Sequence, residues 1–138
     1  MSSFLLDTNV ISELRKGDRG DQGVKRWVEA QTSNDLWLSV LVVGELLRGV
    51  ELVRRRDPLS SAALDQWLDR LKDQYEDRIL PVTSQITQRW AMVTVPDPVP
   101  VIDGLLAATA LEHDLVLVTR NTKDVKSTGV QTHNPFTG

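Results

Sequence analysis

The chain has 138 residues, of which 41% are hydrophobic and 25% are charged, and its formal net charge is -3. These values predict a single soluble globular domain over residues 1–138 and exclude a disordered or fibrous chain. The absence of cysteine excludes disulfides, thiolate zinc sites and a cysteine nucleophile. A slightly acidic chain does not coat nucleic acid by bulk charge, so any polyanionic partner must be bound by a local group of basic residues.

The N-terminus lacks the features of a secretion signal. No basic residue precedes Asp7, and the first apolar run already ends there. The longest apolar stretch extends only from Leu36 to Gly44 and contains Ser39, whereas a membrane span needs about 20 residues. The sequence therefore predicts a cytoplasmic protein without a transmembrane segment.

Short apolar runs alternate with helical spacings along the first half of the chain. A loop dense in glycine and aspartate interrupts this half, and a helix ends before the Asp57-Pro58 pair. The predicted elements are a strand over 4–6, a helix from about 9, a loop over 17–23, a helix around 27–28, a strand over 36–40 and a helix over 41–56.

The second half repeats this alternation. Ser60 and Ser61 are predicted to cap a long amphipathic helix that reaches Tyr75. The later predicted elements are a strand over 79–82, a helix over 84–93, a proline-rich connection over 96–100, a helix over 103–113, a strand over 115–118 and an edge strand over 130–132. Continuously apolar strands separated by helices predict an α/β domain with a central parallel sheet covered by helices on both faces.

Acidic and polar residues follow several of these apolar runs. Ligands bind beyond the carboxyl ends of parallel strands, which directs attention to Asp7, to Asp103 after Val101-Ile102, and to the loop that carries Asn121 and Asp124. Glu45 is placed differently. It lies early in a helix whose neighbouring positions are apolar, so its carboxylate is expected at the edge of the buried stripe.

Each of these residues also has a structural interpretation. Asp7 and Asp103 are both suitable helix N-caps, Glu45 can pair with Arg48, and positions 121 and 124 suit an ordinary loop. Taken together they predict more, because each pair of carboxylates about 4 Å apart costs about 4 kcal/mol at an effective dielectric constant of about 20. A cation or a raised pKa must relieve that cost. Oxygen ligands favour Mg²⁺ or Mn²⁺ over zinc.

Four segments in order resemble the motifs of one protein family. LLDTNVISE at 5–13 is similar to the opening motif of PIN-domain ribonucleases of the VapC toxin type. SVLVVGELLRG at 39–49, DGLLAATA at 103–110 and VTRNTKD at 118–124 resemble the second, third and fourth motifs, and NPF at 134–136 resembles the usual terminus. Each motif alone is weak, but four in this order are specific.

The resemblance implies a PIN-like fold and a metal-dependent endoribonuclease, usually a homodimer, that is inhibited by a cognate antitoxin protein. Asp7, Glu45 and Asp103 match the acidic metal-site positions of the family. The fourth position is occupied in relatives by an acid at either of two places, here Asn121 and Asp124. Only Asp124 is a carboxylate in this chain.

The chemistry of these residue types supports phosphodiester hydrolysis. Bound Mg²⁺ polarises a phosphodiester and acidifies a water, and one carboxylate not fully engaged in coordination can accept the proton of that water. Small polar residues near the acids are expected to orient them by hydrogen bonds, and these are Thr8, Ser39, Thr119 and Asn121. Basic residues beside them, Arg120 and Lys123 with Lys126 behind, are expected to contact the RNA substrate.

Two other functions are compatible with parts of the sequence. A receiver-like phosphoacceptor domain also gathers acids around Mg²⁺, although its central acid ends a strand, whereas Glu45 lies inside a predicted helix. A catalytically inactive PIN-like domain that binds a partner would tolerate an incomplete fourth position. A metal-free ribonuclease pair of His113 and His133 is a third, weaker interpretation, because His113 also suits a helix C-terminus.

Overall fold

The computed structural model describes residues 2–137 and contains a five-stranded sheet. Each pair of neighbouring strands is parallel, and the strand order is β3-β2-β1-β4-β5. The strands are β1 (Phe4–Leu6), β2 (Leu36–Ser39), β3 (Ile79–Leu80), β4 (Val116–Val118) and β5 (Thr132–His133). The prediction of a central parallel sheet in an α/β fold is confirmed.

Six α-helices connect these strands within the described residues. They are α1 (Thr8–Arg15), α2 (Gln22–Ala30), α3 (Val40–Arg54), α4 (Pro58–Gln74), α5 (Ser84–Val93) and α6 (Val101–Glu112). Since parallel crossovers are right-handed, the path from β1 outward to β3 places α1 to α4 on one face, and the return to β4 places α5 and α6 on the other. Contacts of α3 with α4, and of α5 with α6, agree with these two layers. No helix in residues 2–137 is both long and apolar enough to cross a membrane.

The two central strands form the middle of the core. Leu5 and Leu6 of β1 and Val118 of β4 are completely buried, as is Leu106 of α6, which packs in the same cluster. Burial on both faces explains why these strands are apolar at every position instead of at alternate positions. The rigid centre of the sheet therefore lies directly beneath the residues that follow β1 and β4.

Several predicted boundaries are wrong, each for a local reason. α4 begins at Pro58, whose fixed φ suits the first helical position, and the Asp57 carboxylate accepts a hydrogen bond from the Ser60 N–H. Ser60 and Ser61 are therefore not its caps. α6 begins at Val101, before Asp103, and α2 begins at 22, inside the segment predicted as a loop. The edge strand pairs over 132–133, because its register is set by Leu117 and Val118.

A buried arginine joins the edge of the sheet to the helical layer. Arg78, which precedes β3, donates hydrogen bonds to the carbonyl oxygens of Ser33 and Leu36 at 2.6 Å each and of Gln74 at 2.9 Å. Its guanidinium also lies 4.7 Å from the centre of the Tyr75 ring. This one side chain therefore links backbone carbonyls before and at the start of β2 to the end of α4 by charge-assisted hydrogen bonds.

The chain leaves β1 and β4 in opposite directions. From β1 it moves toward β2 and β3, whereas from β4 it moves toward β5 on the other side. Such a reversal opens a crevice at the carboxyl ends of the two adjacent strands, and ligands of open parallel sheets bind there. Asp7 and Thr119 are the first residues beyond these two strand ends.

Candidate active site

Asp7 forms the centre of the site. Its backbone N–H continues the sheet by donating to the Val118 carbonyl, and only 6% of the residue is exposed. One carboxylate oxygen caps α1 by accepting the Thr8 N–H at 2.7 Å, which confirms the predicted N-cap. The other accepts the Thr119 hydroxyl at 2.6 Å. The carboxylate is therefore held by groups from two adjacent strand ends.

Asn9 is a site residue that sequence reasoning missed. Its amide nitrogen lies 3.3 Å from Asp7 Oδ2 and 3.4 Å from the Thr119 hydroxyl, and its amide oxygen accepts the Arg120 N–H at 3.3 Å. Asn9 thus links the loop after β1 to the loop after β4. It lies within the first motif, but only the fold shows that residues 110 positions apart meet here.

Glu45 extends into the site from the second turn of α3. It is half-buried, and its Oε1 accepts the Thr8 hydroxyl at 2.6 Å. Because Thr8 also begins α1, this bond fixes Glu45 beside Asp7. No ion pair between Glu45 and Arg48 occurs among the described residues, so the surface interpretation of Glu45 is not supported.

Asp103 approaches from the opposite layer. It lies in the first turn of α6, where Pro100 occupies the N-cap position without a side-chain capping bond, so the interpretation of Asp103 as an N-cap is wrong. The residue is half-buried, and its carboxylate makes no hydrogen bond to any residue in 2–137. The neighbouring Gly104 lies against the Trp90 indole, and a β-carbon there would come within 3.1 Å of ring atoms Cδ1 and Nε1. The position of Asp103 thus depends on close packing of α5 and α6.

Asp124 supplies the fourth acidic charge. It is exposed in the 3-10 turn Thr122–Thr128, yet its charge acts on Asp103. Asn121 contributes its backbone, since its N–H donates to the Thr119 hydroxyl at 3.0 Å and its side chain is exposed. These observations favour Asp124 over Asn121 as the fourth acidic position.

The charges of neighbouring acids act on two of the four carboxylates, Asp103 and Asp7. Burial raises the pKa of Asp103, and the charges of Asp7, Asp124 and Glu45 raise it further. Burial also raises the pKa of Asp7; hydrogen bonds from Thr119 and Thr8 oppose that effect, and the Glu45 charge adds to it. Asp103 therefore lies within the electrostatic influence of acids from three other segments, at the carboxyl edge of the sheet.

The donor set suits a hard cation, although it is not a complete coordination shell. The side chains that hydrogen-bond to the acids within residues 2–137 carry hydroxyl and amide groups, and the chain has no cysteine, so the site does not suit a soft metal. Within residues 2–137, no group of three or more His, Asp or Glu side chains is arranged to hold a metal ion as it stands. Mg²⁺ commonly takes one or two carboxylates and completes its coordination with waters and substrate phosphates. The coupled acids fit that mode of binding better than a closed protein cage.

The remaining predicted residues fall into different roles. Ser39 is fully buried and caps α3 by accepting the Leu41 N–H at 3.0 Å, and it makes no hydrogen bond to the acids in the described chain. Thr8 and Thr119, in contrast, both donate to acidic residues. Arg120 and Lys123 are exposed in the segment that follows β4. They remain predicted RNA contacts.

The two histidines lie toward opposite ends of the sheet. His133 pairs in register with Val118 at the carboxyl end of β4, whereas His113 ends α6 and precedes the amino end of β4. Their separation rules out an acid–base pair formed by these two side chains.

Trp27 packs at the periphery of the core. Its ring lies 5.2 Å from the His133 ring and packs edge-to-face on Phe4.

Comparison with known proteins agrees with this geometry. The model of the PIN domain family matches residues 4–129. The VapC ribonuclease Y4jK of Sinorhizobium fredii is 33% identical over 96% of this chain and 97% of its own length. Toxin FitB of Neisseria gonorrhoeae is 31% identical over 96% of this chain and 98% of its own length.

A solved structure shows the same similarity in three dimensions. The crystal structure of FitAcB from Neisseria gonorrhoeae contains a chain that is 30% identical and superposes with a TM-score of 0.87, covering 96% of this chain and 97% of that one. The sequence match therefore extends to the arrangement of the strands and helices that carry the acids. This chain belongs to the PIN domain family.

Proposed function

We propose that this protein is a metal-dependent endoribonuclease, the toxin of a toxin–antitoxin pair, which hydrolyses RNA phosphodiester bonds. The convergence of four acids carries this proposal: Asp103 from one helical layer shares its electrostatic environment with Asp7 and Glu45 from the other and with Asp124. The ribonuclease and toxin names of relatives that match almost the whole chain support the same activity.

The residues of the site divide into fixed and free groups. Asp7 is held by Thr8, Asn9 and Thr119, so its carboxylate has one orientation. Asp103 has no such partner in the described chain, so both of its oxygens are available to a ligand. We propose Asp7, Glu45 and Asp103 as the metal-binding residues, with Asp124 beside them as a further catalytic acid.

Mg²⁺ is the ion we propose, with Mn²⁺ as an alternative that has the same preference for oxygen ligands. A bound divalent cation supplies positive charge that polarises the phosphodiester and makes water more acidic. The chain itself contributes the negative charge that retains the ion, and it contributes Thr8 and Thr119, whose hydroxyl groups orient Glu45 and Asp7. Because its pKa is raised, the Asp103 carboxylate is a better proton acceptor than an ordinary aspartate.

Purified protein should cleave RNA in Mg²⁺ and stop cleaving when EDTA is added. Asp103→Asn should remove activity while the protein remains folded by circular dichroism. Asp73→Asn is the matched control, because Asp73 is exposed on α4, away from the carboxyl edge of the sheet. Cleavage that persists in EDTA, or in Asp103→Asn at the wild-type rate, would overturn the proposal.

The two alternative functions differ from the structure in distinct ways. A receiver-like domain has the strand order 2-1-3-4-5, whereas this sheet has the order 3-2-1-4-5 and its central glutamate lies in a helix. The receiver interpretation is therefore wrong. A catalytically inactive PIN-like domain would share the fold, and it is distinguished by the absence of RNA cleavage in the same assay.

A cell that makes an RNA-cleaving toxin must keep it inhibited, so we propose a cognate antitoxin protein as the partner. A cavity of about 210 Å³ runs between α1, α3 and α4 from Thr8 and Glu45 to the apolar side chains of Val50, Leu64 and Trp67. A segment of the partner bound there would reach the acids. Co-expression with the adjacent gene product, followed by co-purification and loss of RNA cleavage, tests the pairing.

We also propose that residues 1–138 form one PIN-like domain that assembles as a homodimer in the cytoplasm, where its RNA substrate is found. Met92, Val95, Val101 and Ile102 are exposed apolar residues around the connection from α5 to α6, and a second copy would cover them. Light scattering should give about twice 15.5 kDa at micromolar concentration. A monomer mass throughout that range would overturn the dimer.

A further inference from the structure

The segment 134–137 is fastened to the helical layer beside the site. The Thr137 hydroxyl and N–H donate to Asp21 Oδ2 at 2.7 and 3.2 Å, and Asp21 Oδ1 accepts the Val24 N–H as the cap of α2. The backbone at Pro135 packs closely against the backbone at Gly23. A β-carbon at position 23 would lie 2.5 Å from the Pro135 carbonyl oxygen, so this contact requires glycine. We refer to residues 134–137 as the C-terminal segment.

This segment places an aromatic ring under an arginine of the site. Asn134 Oδ1 accepts the Phe136 N–H at 3.0 Å and turns the chain, and the guanidinium of Arg120 lies 4.8 Å from the centre of the Phe136 ring. The backbone of Arg120 is held as well, since its N–H donates to Asn9, which contacts Asp7. Both ends of Arg120 are thus tied to ordered parts of the molecule.

The geometry leaves Arg120 able to bind an anion. A ring covers the face of a guanidinium, whereas the N–H donors point outward in the plane of the group. Arg120 is exposed and forms no ion pair within residues 2–137, so no carboxylate occupies those donors. Planar pairs of donors match the oxygens of a phosphodiester.

We propose that Arg120 binds a backbone phosphate of single-stranded RNA next to the acids, and that Phe136, fixed by the C-terminal segment, is its positioning residue. This inference rests on the proposed ribonuclease function. It adds a residue that acts on substrate binding only through Arg120. A base stacked directly on Phe136 is the competing arrangement, and the experiment separates the two.

The test is a double-mutant cycle measured in the full chain carrying Asp103→Asn, so that RNA is bound but not cut. Fluorescence anisotropy of a labelled single-stranded RNA is followed at several salt concentrations. Arg120→Gln should lower the slope of log K against log salt by about 0.7, since one phosphate contact is lost. Arg70→Gln is the control, because Arg70 is exposed on α4 and lies outside the site.

Phe136→Leu should weaken RNA binding by about 2- to 5-fold, the size of an exposed cation–ring interaction. Phe136→Tyr should restore wild-type affinity, because it keeps the ring. Thr137→Val should weaken binding in the same direction by loosening the C-terminal segment. In the Arg120→Gln background neither Phe136→Leu nor Thr137→Val should have any further effect.

The outcomes are distinguishable. An equal loss from Phe136→Leu with and without Arg120 would show that the ring contacts RNA itself and would overturn the positioning role. Unchanged binding in Arg120→Gln would overturn the phosphate contact. If either of these results is obtained but the protein with Asp103 intact cuts RNA in Mg²⁺, only this inference fails and the proposed function stands. A protein that neither binds nor cuts RNA overturns both.

Discussion

The hydroxyl of Thr8 donates a 2.6 Å hydrogen bond to Oε1 of Glu45, and so joins the first residue of α1 to the second turn of α3. The same residue gives its N–H to Asp7. Thr8 therefore sets the spacing between the acid that caps α1 and the acid in α3, which lie 38 positions apart in the chain.

Thr8→Val, which keeps the shape of the side chain and removes the hydroxyl, should weaken Mg²⁺ binding by about 10- to 100-fold, as loss of a group that orients a ligand commonly does. The measurement is the rise in melting temperature with MgCl₂ concentration, accompanied by cleavage assays. Thr8→Ser should restore both. Thr87→Val is the control, because Thr87 is exposed and its hydroxyl donates to the Ser84 carbonyl within α5. Equal effects in the two valine variants would contradict the prediction.

Asp103→Asn should stabilise the metal-free protein at neutral pH. An aspartate whose pKa is raised in the native state binds its proton more tightly there than in the unfolded chain, so folding stability falls as pH rises from the ordinary aspartate range through the raised value. The gain in melting temperature should be absent at low pH and reach a plateau above the native pKa of Asp103. Thermal scans in EDTA from pH 3.5 to about pH 8 cover this window; a gain independent of pH would contradict the electrostatic explanation.

Gly104→Ala should destabilise the protein, whereas Gly44→Ala should stabilise it. Alanine in a helix is favoured over glycine by about 1 kcal/mol, and a β-carbon at Gly44 meets no atom within 4 Å. At Gly104 the new methyl group meets the Trp90 indole, and such overpacking costs about 1–3 kcal/mol. Urea unfolding measures both. In Gly104→Ala the indole should displace the first turn of α6, which carries Asp103. The cleavage rate of this variant should therefore fall as well.

Lys123→Gln should weaken RNA binding through charge alone. Lys123 is exposed in the turn that also carries Asp124, and we expect its ammonium group to contact one phosphate. On the Asp103→Asn background the slope of log K against log salt should fall by about 0.7, with similar loss for RNAs of different sequence. A salt slope equal to that of the parent would remove Lys123 from the RNA-binding surface.

Arg78→Met should cost about 3 kcal/mol or more in the free energy of unfolding. Three carbonyl oxygens, of Ser33, Leu36 and Gln74, would lose a charged donor in a buried place. Arg78→Lys should recover part of the loss, since an ammonium group cannot reach all three. Urea unfolding measures the stability, and cleavage assayed well below the melting temperature should stay at the wild-type rate, because Arg78 lies away from the acids.

The strand positions were predictable because strands buried on both faces are apolar at every position. Phe4–Leu6 and Val116–Val118 are short runs without a polar residue, which is the pattern of strands covered on both faces. Polar residues directly after such runs identified Asp7 and Thr119. Glu45 and Asp103 did not follow from this regularity, since both lie in helices, α3 and α6.

Other features depend on contacts between distant residues, which no local pattern reveals. Asp57 and Ser60 are both good capping residues, and only Pro58 at the first helical position distinguishes them. Asn9 suits a helix start as well as a site residue, and its role appears only when Thr119 is placed beside it. Likewise Phe136 is an ordinary apolar residue until Arg120 lies over its ring.

The hydrogen bond between Asp7 and Thr119 joins residues 112 positions apart, and this separation has a consequence for protein synthesis. β1 is made before the six helices, whereas its neighbour β4 and the turn carrying Asp124 are made after all of them. A nascent chain that has exposed Asp7, Glu45 and Asp103 still lacks the strand that orders Asp7. The ribosome that makes this protein is therefore not exposed to a finished nuclease site until the segment after Val118 has emerged.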